Sequence, residues 1–326
     1  MIEQQITWVG LTVQDFLIEE LVGEGSFSWV YRGTNFEQNK SCVFKVAKPP
    51  ELIGSGGSTG ALHTEALGLI TDAVIDICPD PYKLLASQGK KLQAVSDPEL
   101  VVVEEIAQQE SSCYLRMELI EGRTLREIMS DGPVPVQALI DVAQAMERLS
   151  KTRKFDYHGD LKPENILVTA AGIKLIDPGC FGVLELDDGT QLPCAVTTPA
   201  YYPLLEPDDL LAFGLVLWEA ALGEQPLRYK SYSERLDRRH VSQELLQWVR
   251  SQEVMGRYFL SSILALKRPS DIRPGTTPEL ERLLVKALRL KFKADGTLDL
   301  DSGFRSFGAL AGALLGLLSA GFTTLG

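Results

Sequence analysis

Residues 157–168 read Tyr-His-Gly-Asp-Leu-Lys-Pro-Glu-Asn-Ile-Leu-Val, and no other stretch restricts this chain so narrowly. Asp160, Lys162 and Asn165 crowd together just ahead of an apolar strand, with Pro163 among them. Three chemically different polar groups at fixed offsets suit phosphoryl transfer. A carboxylate orients the attacking hydroxyl, an ammonium neutralises the moving phosphoryl group, and an amide oxygen holds a metal ion. An ordinary polar turn before a strand needs no such set.

The rest of the chain supplies a frame for that run. At 326 residues, 45% of them hydrophobic, it can build one two-lobed domain or two small ones. The first third reads as strands around one helix. Leu17–Val22, Ser28–Arg32 and Ser41–Val46 are short β-rich runs divided by turn residues. Gly54–Gly60 has the composition of a flexible linker, and residues 61–75 have helical character. Between 76 and 99, Pro79, Pro81 and Pro98 forbid one continuous helix. Residues 100–106 and 112–119 suggest a strand pair. Beyond Gly122 the pattern turns helical. Val136, Leu139, Ile140, Ala143 and Met146 share one face at helical spacing. Leu210–Leu222 is apolar nearly all round and predicts a buried central helix, and Leu280–Leu290 is amphipathic. A boundary at Glu118–Arg123 leaves a sheet-rich lobe over 1–120 and a helical lobe over 121–326, with a cleft expected between them.

Charge and cysteine usage narrow the function classes. A net charge of −12 argues against a general nucleic-acid binder but not against phosphate ligands, which need only local positive charge. Five cysteines without metal-ligand spacing, and no signal peptide, predict reduced thiols and a cytoplasmic location. Ser306–Gly326 carries no charge, and Gly308, Gly312 and Gly316 repeat a small-residue spacing. Two outcomes stay open there: a buried terminal helix, or membrane association through residues 307–326.

The run at 157–168 resembles the catalytic loop of eukaryotic-type serine/threonine protein kinases, here with His-Gly-Asp. Gly23-Glu-Gly-Ser-Phe-Ser-Trp-Val30 is similar to the family's glycine-rich loop, with Ser28 at the third glycine. Ile176-Asp-Pro-Gly179 resembles its metal-binding turn, with Pro178 replacing an aromatic residue. The resemblance implies an α+β, two-lobed kinase fold with an N-terminal antiparallel sheet and one main helix, followed by a mainly helical lobe. It also implies ATP and Mg2+ as cofactors and a Ser/Thr-bearing protein as partner, with no nucleic acid.

By the same resemblance Lys45 holds the α- and β-phosphates, paired with Glu65. Val30, Met117, Glu118 and Ile120 surround the adenine, and Gly23 and Gly25 approach the phosphates. Asp160 is the base, Lys162 stabilises transferring charge, and Asn165 and Asp177 hold magnesium. Thr198 contacts Asp160 and Lys162, Asp209 braces the loop backbone, and Glu206 ends the activation segment with Arg305 as its candidate partner. Gly159 stands where regulated relatives carry an arginine that binds an activation-segment phosphate, which predicts activity without that modification. His-Gly-Asp and Asp-Pro-Gly also resemble small-molecule phosphotransferases of the aminoglycoside and choline type. Lys162 and the Thr-Pro-Ala-Tyr-Tyr run at 198–202 favour protein Ser/Thr substrates instead. A nucleotide-binding pseudokinase is a third reading, although every chemical position is filled. Cys180 and Cys194 read as bystanders rather than a redox switch.

Overall fold

The computed structural model describes residues 8–25, 27–52, 80–109, 112–185, 191–198, 200–204, 207–225, 242–245, 247 and 266–326. The chain forms two compact units, Met1–Glu121 and Gly122–Gly326.

The first unit is a six-stranded antiparallel sheet. Its strands are β1 (Thr12–Val13), β2 (Phe16–Glu24), β3 (Ser28–Asn35), β4 (Lys40–Ala47), β5 (Val103–Gln109) and β6 (Ser112–Glu118). They lie in the order β1-β2-β3-β4-β6-β5. Strict alternation fixes β6: Cys113, Leu115 and Met117 are buried while Ser112, Tyr114, Arg116 and Glu118 are half-buried. A one-residue slip would turn that set outward, so the register is strongly specified. Phe16, Ile18, Tyr31 and Phe44 form a core cluster in which Phe16 meets Phe44 edge-on at 5.9 Å. Burial pushes the Cys42 and Cys113 thiols up to about 11, which leaves them inert at neutral pH.

One helix, α1 (Pro81–Gln93), packs on β4, β5 and β6. It lies inside the stretch whose prolines rule out one long helix. Pro81 sits in the first turn, where its missing N–H costs nothing, and Asp80 caps the end by accepting from the Tyr82 and Lys83 amides. The prolines therefore bracket a helix. Leu85, Ala86, Gly89 and Leu92 form its buried face. A Cβ at Gly89 would stand 2.5 Å from Leu115 Cδ2 and 3.0 Å from Ile106 Cδ1, so only glycine allows this close approach to the sheet. The expected Gly54–Gly60 linker and the helix over 61–75 lie outside the described residues.

The second unit begins with β7 (Arg123–Thr124) and α2 (Leu125–Asp131), whose start is a capping box between Thr124 and Glu127. After β8 (Val134–Pro135) comes α3 (Val136–Ser150), which buries Val136, Leu139, Ile140, Ala143 and Met146 as their spacing predicts. A 3-10 turn at Pro163–Asn165 leads into the hairpin β9 (Ile166–Thr169) and β10 (Gly172–Leu175). A second hairpin follows, β11 (Cys180–Glu185) with β12 (Gln191–Val196). The central helix α4 (Asp209–Leu222) is buried on all sides, Trp218 completely.

Near the C-terminus lie α5 (Pro269–Ile272), α6 (Pro278–Ala287), β13 (Leu290–Phe292), β14 (Leu298–Leu300), α7 (Phe307–Ser319) and β15 (Thr324–Leu325). The amphipathic helix expected over 280–290 ends at Ala287, because Leu290 starts a strand. α7 packs on α3, burying Phe307, Leu310, Ala311, Leu314 and Leu317. The uncharged terminal segment thus supplies a core helix of this unit. Among the described residues no helix is long and apolar enough to cross a membrane.

Candidate active site

In the first unit the candidate residues share one sheet. The β2–β3 turn is tight: Gly23 pairs with Val30 across the hairpin, and the Gly25 amide donates to the Ser28 carbonyl at 2.8 Å. A Cβ on Gly23 or Gly25 would meet nothing closer than 3.5 Å, so the hairpin itself does not require glycine at either place. Lys48 ties the turn to β4: its amide donates to the Phe27 carbonyl and its ammonium lies 2.5 Å from Glu24 Oε1. That ammonium holds the Glu24 carboxyl below the usual carboxylate range.

Lys45 lies in β4, paired with Val30 on one side and Leu115 on the other. It is buried, and a buried ammonium needs polar company. Its Nζ donates to Gln88 Oε1 of α1 at 3.4 Å. Glu65, the expected partner, lies outside the described residues. Gln88 was not foreseen. The signal for it was the Asp80-Pro81 helix start followed by an amphipathic run. Met117, buried, pairs with Val43, and Glu118 pairs with Cys42 at the strand's end. The Glu118 amide donates to the Val102 carbonyl at 3.0 Å and its carboxylate accepts from the Val102 amide at 2.9 Å. Ile120 follows, half-buried.

In the second unit the catalytic-loop residues converge on the Asp160 carboxylate. Its Oδ1 accepts from the Thr198 amide at 2.8 Å and the Thr197 hydroxyl at 3.4 Å. Its Oδ2 accepts from Lys162 Nζ at 2.8 Å and Asn165 Nδ2 at 3.0 Å. Lys162 also donates to Thr198 Oγ1 at 2.7 Å. Asn165 spends its amide hydrogens on Asp160 and on the Asp177 carbonyl, 3.3 Å away. Asp177 has φ +53, a left-handed conformation costly for a residue with a side chain and tolerated best by Asp and Asn. Among the described residues no group of three or more His, Cys, Asp or Glu side chains is placed to hold a metal.

The loop is braced from beneath. Asp209 accepts from the His158 and Gly159 amides at 2.6 and 2.8 Å. Gly159 has φ +85, and a Cβ there would press on the Tyr157 ring at 3.0 Å. Tyr202 was not foreseen: its hydroxyl donates to Asp209 and accepts from the Leu161 amide at 2.8 Å. Burial, then the Asp209 carboxylate, pushes its phenol well above the ordinary value, so it stays a donor at all physiological pH.

Arg126 was equally unforeseen, and its guanidinium joins Glu164, Glu219 and Tyr201. Glu206 and the side chains of Cys180 and Cys194 lie outside what is described, and Arg305 is exposed.

A family model described as "Protein kinase domain" matches residues 84–293. The serine/threonine-protein kinase pkn2 of Myxococcus xanthus is 26% identical over 274 residues, 75% of this chain and 32% of that protein. Serine/threonine-protein kinase PrkC of Bacillus subtilis (strain 168) is 25% identical over 197 residues, 54% of this chain and 30% of that protein. The chain spans about a third of the length of these curated relatives. A solved structure titled "PpkA-294 apo form" matches with a TM-score of 0.57 at 18% identity, covering 94% of this chain and 98% of that one. At that identity the likeness establishes the two-lobed α+β fold.

Proposed function

The chain belongs to the protein kinase family, and from that premise we propose that it transfers the γ-phosphoryl group of ATP to serine and threonine hydroxyls of protein substrates. The observation that carries this reading is the Asp160 carboxylate, held by Lys162 at 2.8 Å, Asn165 at 3.0 Å and the Thr198 amide at 2.8 Å. The names of the curated relatives support the serine/threonine assignment.

In this reading Asp160 accepts the proton of the attacking hydroxyl as its oxygen bonds to the γ-phosphorus and the bond to the ADP oxygen breaks. Lys162, held beside Asp160, lies against the charge that develops on the transferring group. Lys45, bonded to Gln88 and with Glu65 as its proposed ionic partner, binds the α- and β-phosphates. Gly23 and Gly25, which the hairpin does not need, leave room for phosphate oxygens to approach the backbone. Val30, Met117, Glu118 and Ile120 enclose the adenine.

The donor set fits magnesium rather than a soft metal: one carboxylate, Asp177, and one amide oxygen, Asn165, leave most positions to phosphate and water oxygens. Magnesium held by Asp177 and Asn165 would neutralise negative charge on the phosphate oxygens.

The test is where the label from γ-labelled ATP goes. With Mg2+ and a panel of acceptor proteins, it is expected on phosphoserine and phosphothreonine and to vanish with Asp160→Asn. Label on an added aminoglycoside or choline instead would identify a small-molecule phosphotransferase. Nucleotide binding without transfer would identify a pseudokinase.

A further inference from the structure

We propose that Arg126 is a specificity-determining residue that makes the substrate-binding surface beside the catalytic loop refuse a basic side chain and accept a neutral or acidic one. The inference rests on the protein-kinase reading above.

Glu164 lies in the catalytic loop itself, next to Asn165 in the 3-10 turn. Glu219 projects from the middle of α4 and is nearly buried, its side chain 11% exposed. Tyr201, buried, donates its hydroxyl to Glu219 at 2.5 Å. Two carboxylates and a phenolic oxygen so close together would form a ready site for a guanidinium or ammonium from a substrate. The chain fills that site from within. Arg126 Nε lies 2.7 Å from Glu164, Nη1 lies 2.7 Å from Glu219, and Nη2 lies 2.7 Å from the Tyr201 oxygen. Burial works against this charge, but the bonds to Glu219 and Glu164 outweigh it and raise the Arg126 pKa further above its already high value. With these three bonds Arg126 occupies the site.

A cavity of about 540 Å3 opens beside this cluster, lined by Arg126, Met129, Ser130, Pro133, Glu219 and Arg273 among others. Glu219 is the carboxylate of that lining, and Arg126 already occupies it, so the wall gives a further cation no open partner. A polypeptide offering its hydroxyl to Asp160 rises about 3.3–3.6 Å per residue. Glu164 follows Asp160 by four positions in the same loop, so the cluster adjoins the loop that carries the proposed base.

The experiment measures kcat and KM for matched acceptor peptides carrying Arg, Ala or Glu at each of the four positions on either side of one serine. Wild type is expected to use the Ala and Glu peptides at least about fivefold better than the Arg peptide at the responsive position, with the difference in peptide KM. Arg126→Ala should reverse that order, and Arg126→Lys should keep it. The KM for ATP should stay within about twofold in both variants. Arg126→Ala strands Glu219, so its folding is checked by melting; the wild-type and Arg126→Lys series decide the matter if it does not fold. Wild type preferring the Arg peptide, or an unchanged order in a folded Arg126→Ala, overturns the inference alone. No transfer to any peptide or protein would instead overturn the kinase reading and this inference with it.

Discussion

Gln88 adds an amide to the surroundings of Lys45, whose expected partner Glu65 lies outside the described residues. The Lys45–Gln88 bond at 3.4 Å helps to orient the ammonium. Gln88→Ala should lower kcat/KM for ATP about tenfold, or about 1.4 kcal/mol. Gln88→Glu, which keeps an acceptor oxygen in place, should recover most of that loss. Equal activity in all three forms would remove Gln88 from the site. The reason Gln88 was invisible is physical: a lysine's partner across 43 residues is set by how a helix seats on a sheet, which local pattern does not encode. Asp160, Lys162 and Asn165 were legible because their spacing is local. Arg126, Tyr201 and Glu219 were not, since they meet only through packing of α2, the segment before α4, and α4 itself.

α1 reaches Lys45 only because Gly89 lets it settle against Leu115, the residue paired with Lys45 on β6. Gly89→Ala adds intrinsic helix propensity yet must push the helix outward. Overpacking of this kind costs about 1–3 kcal/mol. A lower melting temperature together with a raised KM for ATP is expected; a stabilised protein would mean that the helix can shift freely.

The β11–β12 hairpin pairs six residues on each strand, from Cys180 opposite Val196 to Glu185 opposite Gln191. Beyond it Thr197 bonds the Gly159 carbonyl at 2.7 Å and Thr198 bonds Asp160 and Lys162. The segment is thus anchored by backbone and hydroxyl groups, and Gly159 offers no charge for a phosphate. Exhaustive phosphatase treatment should leave the transfer rate unchanged within about twofold; loss of activity would show that a phosphate does the anchoring.

α7 is fastened to α3 by Glu147, which accepts from the Gly308 amide at 2.6 Å and lies 2.9 Å from Lys151. Lys151, then the Gly308 amide, holds the Glu147 carboxyl below the usual carboxylate range. A lowered folded pKa gives stability that is present above the unfolded value and lost as pH falls through the folded one. Glu147→Gln should therefore lower the melting temperature at pH 7 and narrow its gap to wild type below about pH 4. A gap independent of pH would show that the charge contributes nothing.

At the scale of the whole chain, strands and helices with a clean period were readable in advance: β3, β4, β6, the buried face of α3 and all of α4. The stretch before β5 was not, because three prolines look like breakers until one of them is seen to start a helix. The terminal apolar segment was ambiguous because a core helix and a membrane segment share the same composition; Leu310, Leu314 and Leu317 are buried against this unit. Phosphoryl transfer asks residues separated by more than a hundred positions to act on one nucleotide.

The most direct measurement is the turnover of wild type, Lys45→Ala, Asp160→Asn and Asp177→Ala with ATP and Mg2+, alongside nucleotide binding and a thermal melt. Each variant should melt cooperatively and lose at least about a hundredfold in kcat, and Asp160→Asn should still bind ATP in the presence of Mg2+. Near-normal turnover in any one of the three would contradict the role proposed for that residue.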